Sequence, residues 1–438
     1  MNEESLTGVA TATPAPAAVR TTTPAASAST TSTTSPTSPT PSAARASRAP
    51  WFPVLDTLRG VGAVAIVTTH CAYWAGAYED TRTGWLLARL DVGVALFFVL
   101  SGFLLARPHF AAARTGAPAP ALGTYVRHRI WRIAPLAVVT VLLAFVLLEG
   151  NRDLTVVERV AALTLTSTYV VETGFPGGLT HLWSLTTEVA FYALLPAVMV
   201  LAVGRGGRAG LRPARIAALV AGMVAVSVVW FFALPSQDSP GGGVIPVGDT
   251  ITSVLAHGEP ELWLPGYLAW FAGGVALAAA YELARAGSRS RALAWTQALA
   301  LRPAVCLAAA AALMWWSASP VLGLPTLSRV TPDEHALKTV VYVVAATLVV
   351  LTGVFTRPGL YTRVLAHPAL RRLGTLSYGV FCLHLMVLHL VLQAAGWEHG
   401  EAPLHVLLPV VLAITLVAAE AAYRLVEAPA MRLARRAR

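Results

Sequence analysis

Arg59 and His70 lie eleven helical steps apart in the first apolar stretch of this 438-residue chain. Eleven steps close almost a whole number of turns, so both side chains share one face, ~16 Å apart along the axis. Asp56 precedes Arg59 by one turn on the same stripe. Ionisable groups inside a spanning helix are expensive and usually have a function. An acid, a guanidinium and an imidazole on one face suit chemistry, or proton transfer across a bilayer. Imidazole titrates near neutral pH, which suits His70 to taking a proton from a hydroxyl. The structural alternatives are a local Asp56–Arg59 ion pair at the membrane edge and a neutral His70 bonded to a neighbouring helix.

A second constellation opens at His181-Leu182-Trp183-Ser184 and continues to Glu188 and Tyr192. Spacings of three and four put His181, Ser184, Glu188 and Tyr192 on one helical face. Glu188 lies seven residues in, ~10 Å from the helix start, where a carboxylate needs a proton, a partner or water. Such a stripe reads as the polar wall of a cavity, or as an interhelical hydrogen-bond network. Arg129 and Arg132 are one turn apart on another segment. They are placed to clamp the phosphates of a cofactor, or to anchor lipid headgroups. Ser101-Gly102 suits close helix packing, and no Gly-x-Ser-x-Gly elbow marks Ser101 as a nucleophile. Ser377 and His384 share a face seven residues apart, as packing or a supporting hydrogen bond. No P-loop is present, and Gly241-Gly242-Gly243 reads as a flexible turn. Cys71, Cys306 and Cys382 form no CxxC or Cys/His metal spacing, so no metal site is expected.

The elements carrying these residues are membrane helices. Only 12% of the chain is charged and 56% is hydrophobic, about half the charge fraction of an ordinary soluble domain. Mean hydropathy is +0.63. Apolar runs of ~20 residues recur, and the short alternating segments of a membrane barrel are absent. The expected fold is all-α, a polytopic bundle of about ten spans: 54–76, 89–106, 131–148, 181–203, 214–234, 262–281, 301–318, 336–355, 373–395 and 403–423. The stretch 156–171, which contains Glu158 and Arg159, reads as an interfacial helix on the outer side.

Loop charges support this count. Arg107, Arg114, Arg127 and Arg129 fall in loop two; Arg205, Arg208, Arg212 and Arg215 in loop four; Arg285, Arg289 and Arg291 in loop six; Arg357, Arg363, Arg371 and Arg372 in loop eight. Odd loops are acidic instead. This alternation places both termini in the cytoplasm, with Arg59 near the cytoplasmic end and His70 in the outer half. The net charge of +10 therefore reports membrane orientation and not nucleic-acid binding. Residues 1–50, almost all Ala, Thr, Ser and Pro, read as a disordered cytoplasmic tail. Residues 51–430 form the membrane domain and 431–438 a basic cytoplasmic tail.

Several stretches together resemble acyltransferase family 3. They are Leu55-Asp56-Thr57-Leu58-Arg59-Gly60 leading to His70; Gly93 to Phe103; Arg129 to Arg132; His181 to Glu188 with Phe191-Tyr192; Ser377-Tyr378-Gly379 with His384; and Tyr423-Arg424 with Glu427-Ala428-Pro429. The resemblance covers about residues 51–430. Two positions depart from many members, which carry acids where Val189 and Ala95 stand here. A mechanism needing a carboxylate pair at 188–189 is therefore not expected.

The resemblance implies an integral-membrane O-acyltransferase. The donor is acyl-CoA, acetyl-CoA first among candidates, with no permanently bound cofactor. The acceptor is a hydroxyl of an envelope glycan, a lipid or a macrolide-like product. In that reading Arg129 and Arg132 hold the coenzyme head and Arg59 lies nearer the thioester. His70 and Glu188 are catalytic, and His181, Ser184 and Tyr192 line the acceptor side. The location is the inner (cytoplasmic) membrane. The alternative from another class is a transporter or glycolipid flippase, whose internal repeat is not visible here. A sensor or scaffold fits the buried polar groups poorly.

Overall fold

The computed structural model describes residues 51–78, 81–171, 175–207, 210–234, 259–319 and 331–436. The tail 1–50 and the Gly241–Gly243 turn lie outside them. Among the described residues the chain is helical, without strands.

A helix stands at each expected span. They are α1 (Pro53–Trp74), α3 (Val92–Thr115), α4 (Leu122–Leu147), α7 (Leu182–Val203), α8 (Pro213–Ala233), α9 (Leu264–Arg285), α11 (Pro303–Ser317), α12 (Pro332–Val354), α14 (Pro368–Ala395) and α15 (Leu404–Ala422). Shorter helices join them: α2 (Arg82–Ala88), α5 (Val156–Thr164), α6 (Ser167–Val170), α10 (Arg291–Ala300), α13 (Leu360–Leu365) and α16 (Ala428–Arg436). Among the described residues eight helical spans are long and apolar enough to cross a membrane, or nine if α10 and α11, bent by 90°, count as one broken span. The helix α1, which carries Asp56, Arg59 and His70, is not among them. Between 156 and 171 the chain makes only two short helices, neither long enough to span.

Val146, Leu201, Val229, Leu307, Ile414 and Val417 lie exposed on the spanning helices. A soluble monomer would not leave so many large apolar side chains open, and here they suit contact with lipid tails. The chain is a multi-pass membrane protein. Its interior is packed around aromatic rings: Phe271 stacks on Phe191 and Phe98 at 3.9 and 4.4 Å between centroids. Ser101-Gly102 packs as expected, since a Cβ on Gly102 would overlap the Phe271 carbonyl oxygen.

Two ion clusters tie the spans together. Glu282, fully buried on α9, faces Arg114 at 2.7 Å and Arg107 and Arg285 at 3.8 Å. Lys338, the chain's only lysine, bonds Asp91 at 2.7 Å.

Candidate active site

The site begins with the contact between α1 and α14. A Cβ on Gly60 would lie 2.8 Å from Leu373 Cγ and 3.0 Å from the Gly374 nitrogen, and one on Gly374 would overlap the Asp56 carbonyl oxygen. Only residues without side chains let the two backbones meet there. Ten residues further along both helices, His70 meets His384, with Nδ1 3.0 Å from Nε2. The two helices therefore run parallel in one register. The glycine crossing sets the separation at which the imidazoles can bond.

His181 joins them from α7, its ring centroid 4.7 Å from that of His384. The segment before α7 fixes it. Fully buried Asn151 donates to the Ala144 and Gly177 carbonyls and accepts from the Gly177 N–H at 2.8 Å. Gly178 follows at φ +71, in the left-handed region, where a side chain would also strike Leu148 and the Met386 backbone. The turn is thus laid against α14 beside His384. His181 Nε2 lies 3.2 Å from the Cys382 carbonyl, and its buried Nδ1 has no partner. His181 and His384 are buried and His70 is partly exposed.

Next to this histidine layer lies a narrow cavity of about 60 Å³, room for a few waters. Arg59, Ser101, Arg132, Ser184, Glu188, Tyr192, Ser377 and Tyr378 line it. Phe381 also lines it, and Ser184 and Phe381 are each one turn from a histidine of the layer above. Glu188 accepts from the Tyr192 hydroxyl at 2.6 Å and from the Ser101 hydroxyl, both on Oε1. Arg59 makes no direct ion pair or hydrogen bond among the described residues; Glu188 and Asp56 act on its charge from further off.

The expected site residues divide between places. Ser184, Glu188, Tyr192, Arg59 and Arg132 come together at the cavity. His70 and His181 do not line it; they form the layer beyond, with Glu188 ~10 Å from His181 along α7. Arg129 and Arg132 do not share a surface. Arg132 faces the cavity, 3.4 Å from Glu427 and over the Tyr378 ring. Arg129 stacks over Tyr125 and Tyr192 in a separate, mostly apolar groove of about 320 Å³. The Asp56–Arg59 ion pair does not form: Asp56 faces Arg371 of α14 at 3.8 Å, because the packed α14 backbone brings that guanidinium alongside.

Three partners escaped the reading of the sequence. His384 bonds His70, Ser101 bonds Glu188, and Glu427 balances Arg132. Glu427 reaches its place through the π-turn Tyr423–Glu427 between α15 and α16, a distortion often found at functional sites. The residues were visible as motifs, but their pairing spans up to 314 positions, and no local pattern encodes that.

A family model described as an acyltransferase domain matches residues 52–423. The chain belongs to acyltransferase family 3. Every residue of the histidine layer and the cavity falls inside the matched region. This acyltransferase is 27% identical over 398 residues to nodulation protein 10 of Rhizobium leguminosarum bv. viciae, covering 86% of the chain and 93% of that protein. It is 30% identical over 155 residues to the acyltransferase MdmB of Streptomyces mycarofaciens, covering 33% of the chain and 38% of that protein. No solved structure gives a match.

Proposed function

We propose that this acyltransferase moves an acyl group, acetyl first among candidates, from cytoplasmic acyl-CoA to a hydroxyl of an envelope glycan, a lipid or a secreted macrolide-like product. It works in the inner (cytoplasmic) membrane with both termini in the cytoplasm, so the Arg59 end of the site faces inward and the His70 end outward. The observation that carries this reading is the order of groups along one helix. A guanidinium without a direct ion pair lies in a cavity at one level, and a bonded imidazole lies ~16 Å further on. That span suits a donor whose phosphates stay near the arginines while its thin arm carries the thioester to the histidine.

His70 acts as general base towards the acceptor hydroxyl. Arg59 and Arg132 take the donor's anionic oxygens, and Arg129 contributes from behind the Tyr192 ring. Glu188 holds the Tyr192 and Ser101 hydroxyls and balances the arginine charge. His181 offers its open Nδ1 to the acceptor, with Ser184 below it. Loss of a general base typically lowers rate by about 10² to 10⁴.

The test is free-thiol release from acetyl-CoA by the purified protein, with mass spectrometry of envelope glycans and secreted metabolites from cells with and without it. Thiol release that depends on an acceptor and disappears in His70→Ala is expected. No thiol release by folded wild-type protein would favour a transporter.

A further inference from the structure

We propose that His384 is the positioning residue that fixes the proton of His70, so that His70 Nε2 is the atom that accepts the acceptor's proton. The proposal rests on the reading of His70 as base. His384 Nδ1 lies 2.7 Å from the Phe381 carbonyl oxygen and 3.2 Å from that of Val380. A carbonyl oxygen only accepts, so Nδ1 carries the hydrogen. A neutral imidazole has one N–H, which leaves His384 Nε2 as a lone pair. That atom is 3.0 Å from His70 Nδ1, so His70 Nδ1 must donate. The second nitrogen of His70 is then unprotonated.

A doubly protonated His384 would reverse this order and leave His70 no lone pair. The ring is fully buried, and no carboxylate pairs with it among the described residues. A lone cation there would carry an uncompensated desolvation cost. Ring flipping is opposed as well. The His70 and His384 rings meet edge to edge, 29° from coplanar, and the rings of His181 and Phe381 close the other sides. His384 therefore orients the base as a carboxylate does in hydrolytic triads, but without placing an anion in the bilayer.

The step balances. His70 Nε2 takes the hydroxyl proton as the acceptor oxygen bonds to the thioester carbon. The tetrahedral adduct then breaks its C–S bond, and the same proton passes from Nε2 to the leaving thiolate. Between these events His70 is an imidazolium whose Nδ1–H bond to His384 is charge-assisted and stronger than in the resting state.

The experiment compares acyl-transfer kinetics and thermal unfolding of purified His384→Gln, His384→Asn, His384→Leu and His70→Ala with wild type. Gln carries its amide oxygen near the Nε2 position and can accept from His70; Asn and Leu cannot. Asn and Leu are expected to lower kcat on the order of 10²-fold with both KM values within about twofold, while Gln recovers most of the loss. Equal kcat losses in Gln and Asn, or losses confined to KM, overturn the proposal and leave a packing role. Wild-type kcat in Asn, with His70→Ala inactive, overturns it while sparing the base reading. Near-normal turnover in His70→Ala overturns both. Should Leu fail to fold, the Gln and Asn pair decides.

Discussion

The crossing of α1 and α14 gives a graded test of how packing controls chemistry. Gly60→Ala brings a methyl to 2.8 Å from Leu373 Cγ and 3.0 Å from the Gly374 nitrogen, against 3.4 Å for ordinary contact. The helices must part by about 0.6 Å, or by about 0.4 Å where the Leu373 side chain turns aside. Gly374→Ala meets the Asp56 carbonyl oxygen itself, and the backbones must part by more than about 1 Å. Alanine recovers about 1 kcal/mol of helix propensity in each case, while overpacking typically costs about 1–3 kcal/mol. Net stability losses are therefore small, from near zero for Gly60→Ala to about 2 kcal/mol for Gly374→Ala. Function responds more steeply. The His70–His384 bond at 3.0 Å lies near the favourable distance and is lost beyond 3.5 Å. A misplacement of about 1 Å at a reacting group lowers rate on the order of 10²-fold. Turnover is expected to fall a few-fold in Gly60→Ala and about 10²-fold in Gly374→Ala, with unfolding temperature changing little. The assay is acetyl-CoA thiol release alongside thermal unfolding in the same detergent. Wild-type turnover in Gly374→Ala would show that the crossing does not set the imidazole geometry.

Other perturbations separate the two layers of the site. Arg59→Ala should raise donor KM by about 10- to 100-fold, the equivalent of one charged hydrogen bond of 1.5–3 kcal/mol; an unchanged KM would remove Arg59 from the donor path. Glu188→Leu leaves the Ser101 and Tyr192 hydroxyls without their acceptor. It should cost about 1–3 kcal/mol per stranded hydroxyl, read as a lower unfolding temperature that Glu188→Gln largely restores. Glu427→Ala strips Arg132 of its counter-ion and should both destabilise the protein and raise its affinity for anionic donor analogues; unaltered binding would place Arg132 outside the donor site. Arg129→Ala should change donor KM less than Arg132→Ala, because its guanidinium lies behind Tyr192; the reverse order would restore the two-arginine clamp.

The spans were legible because hydrocarbon imposes length and apolarity on every crossing helix. Helix ends were less so. α3 runs to Thr115 and α4 starts at Leu122, well outside the apolar runs ending at 106 and starting at 131. Hydropathy marks where lipid stops. A helix stops where its backbone can be capped, as at Gly116 with φ +70. The arginines of that connection, Arg107, Arg114, Arg127 and Arg129, therefore sit on helices, and this fixes which way each one points.

At the site, residue types were legible and partners were not. Periodicity placed Ser184, Glu188 and Tyr192 on one face, and all three line the one cavity. The same periodicity counted His181 in that wall, yet His181 begins the neighbouring layer. Spacing of three and four tracks angle around an axis, whereas ligands also discriminate height along it, and seven residues amount to ~10 Å. Height becomes functional only when another helix supplies a group at the same level. For His70 that helix is α14, and its level is set by Gly60 against Gly374, two residues with no chemistry of their own. A bilayer makes this arrangement economical in charge. A carboxylate beside His70 would bring a buried anion that needs its own compensation, whereas a second imidazole, its proton already committed to the Phe381 carbonyl, supplies the same orientation while remaining neutral.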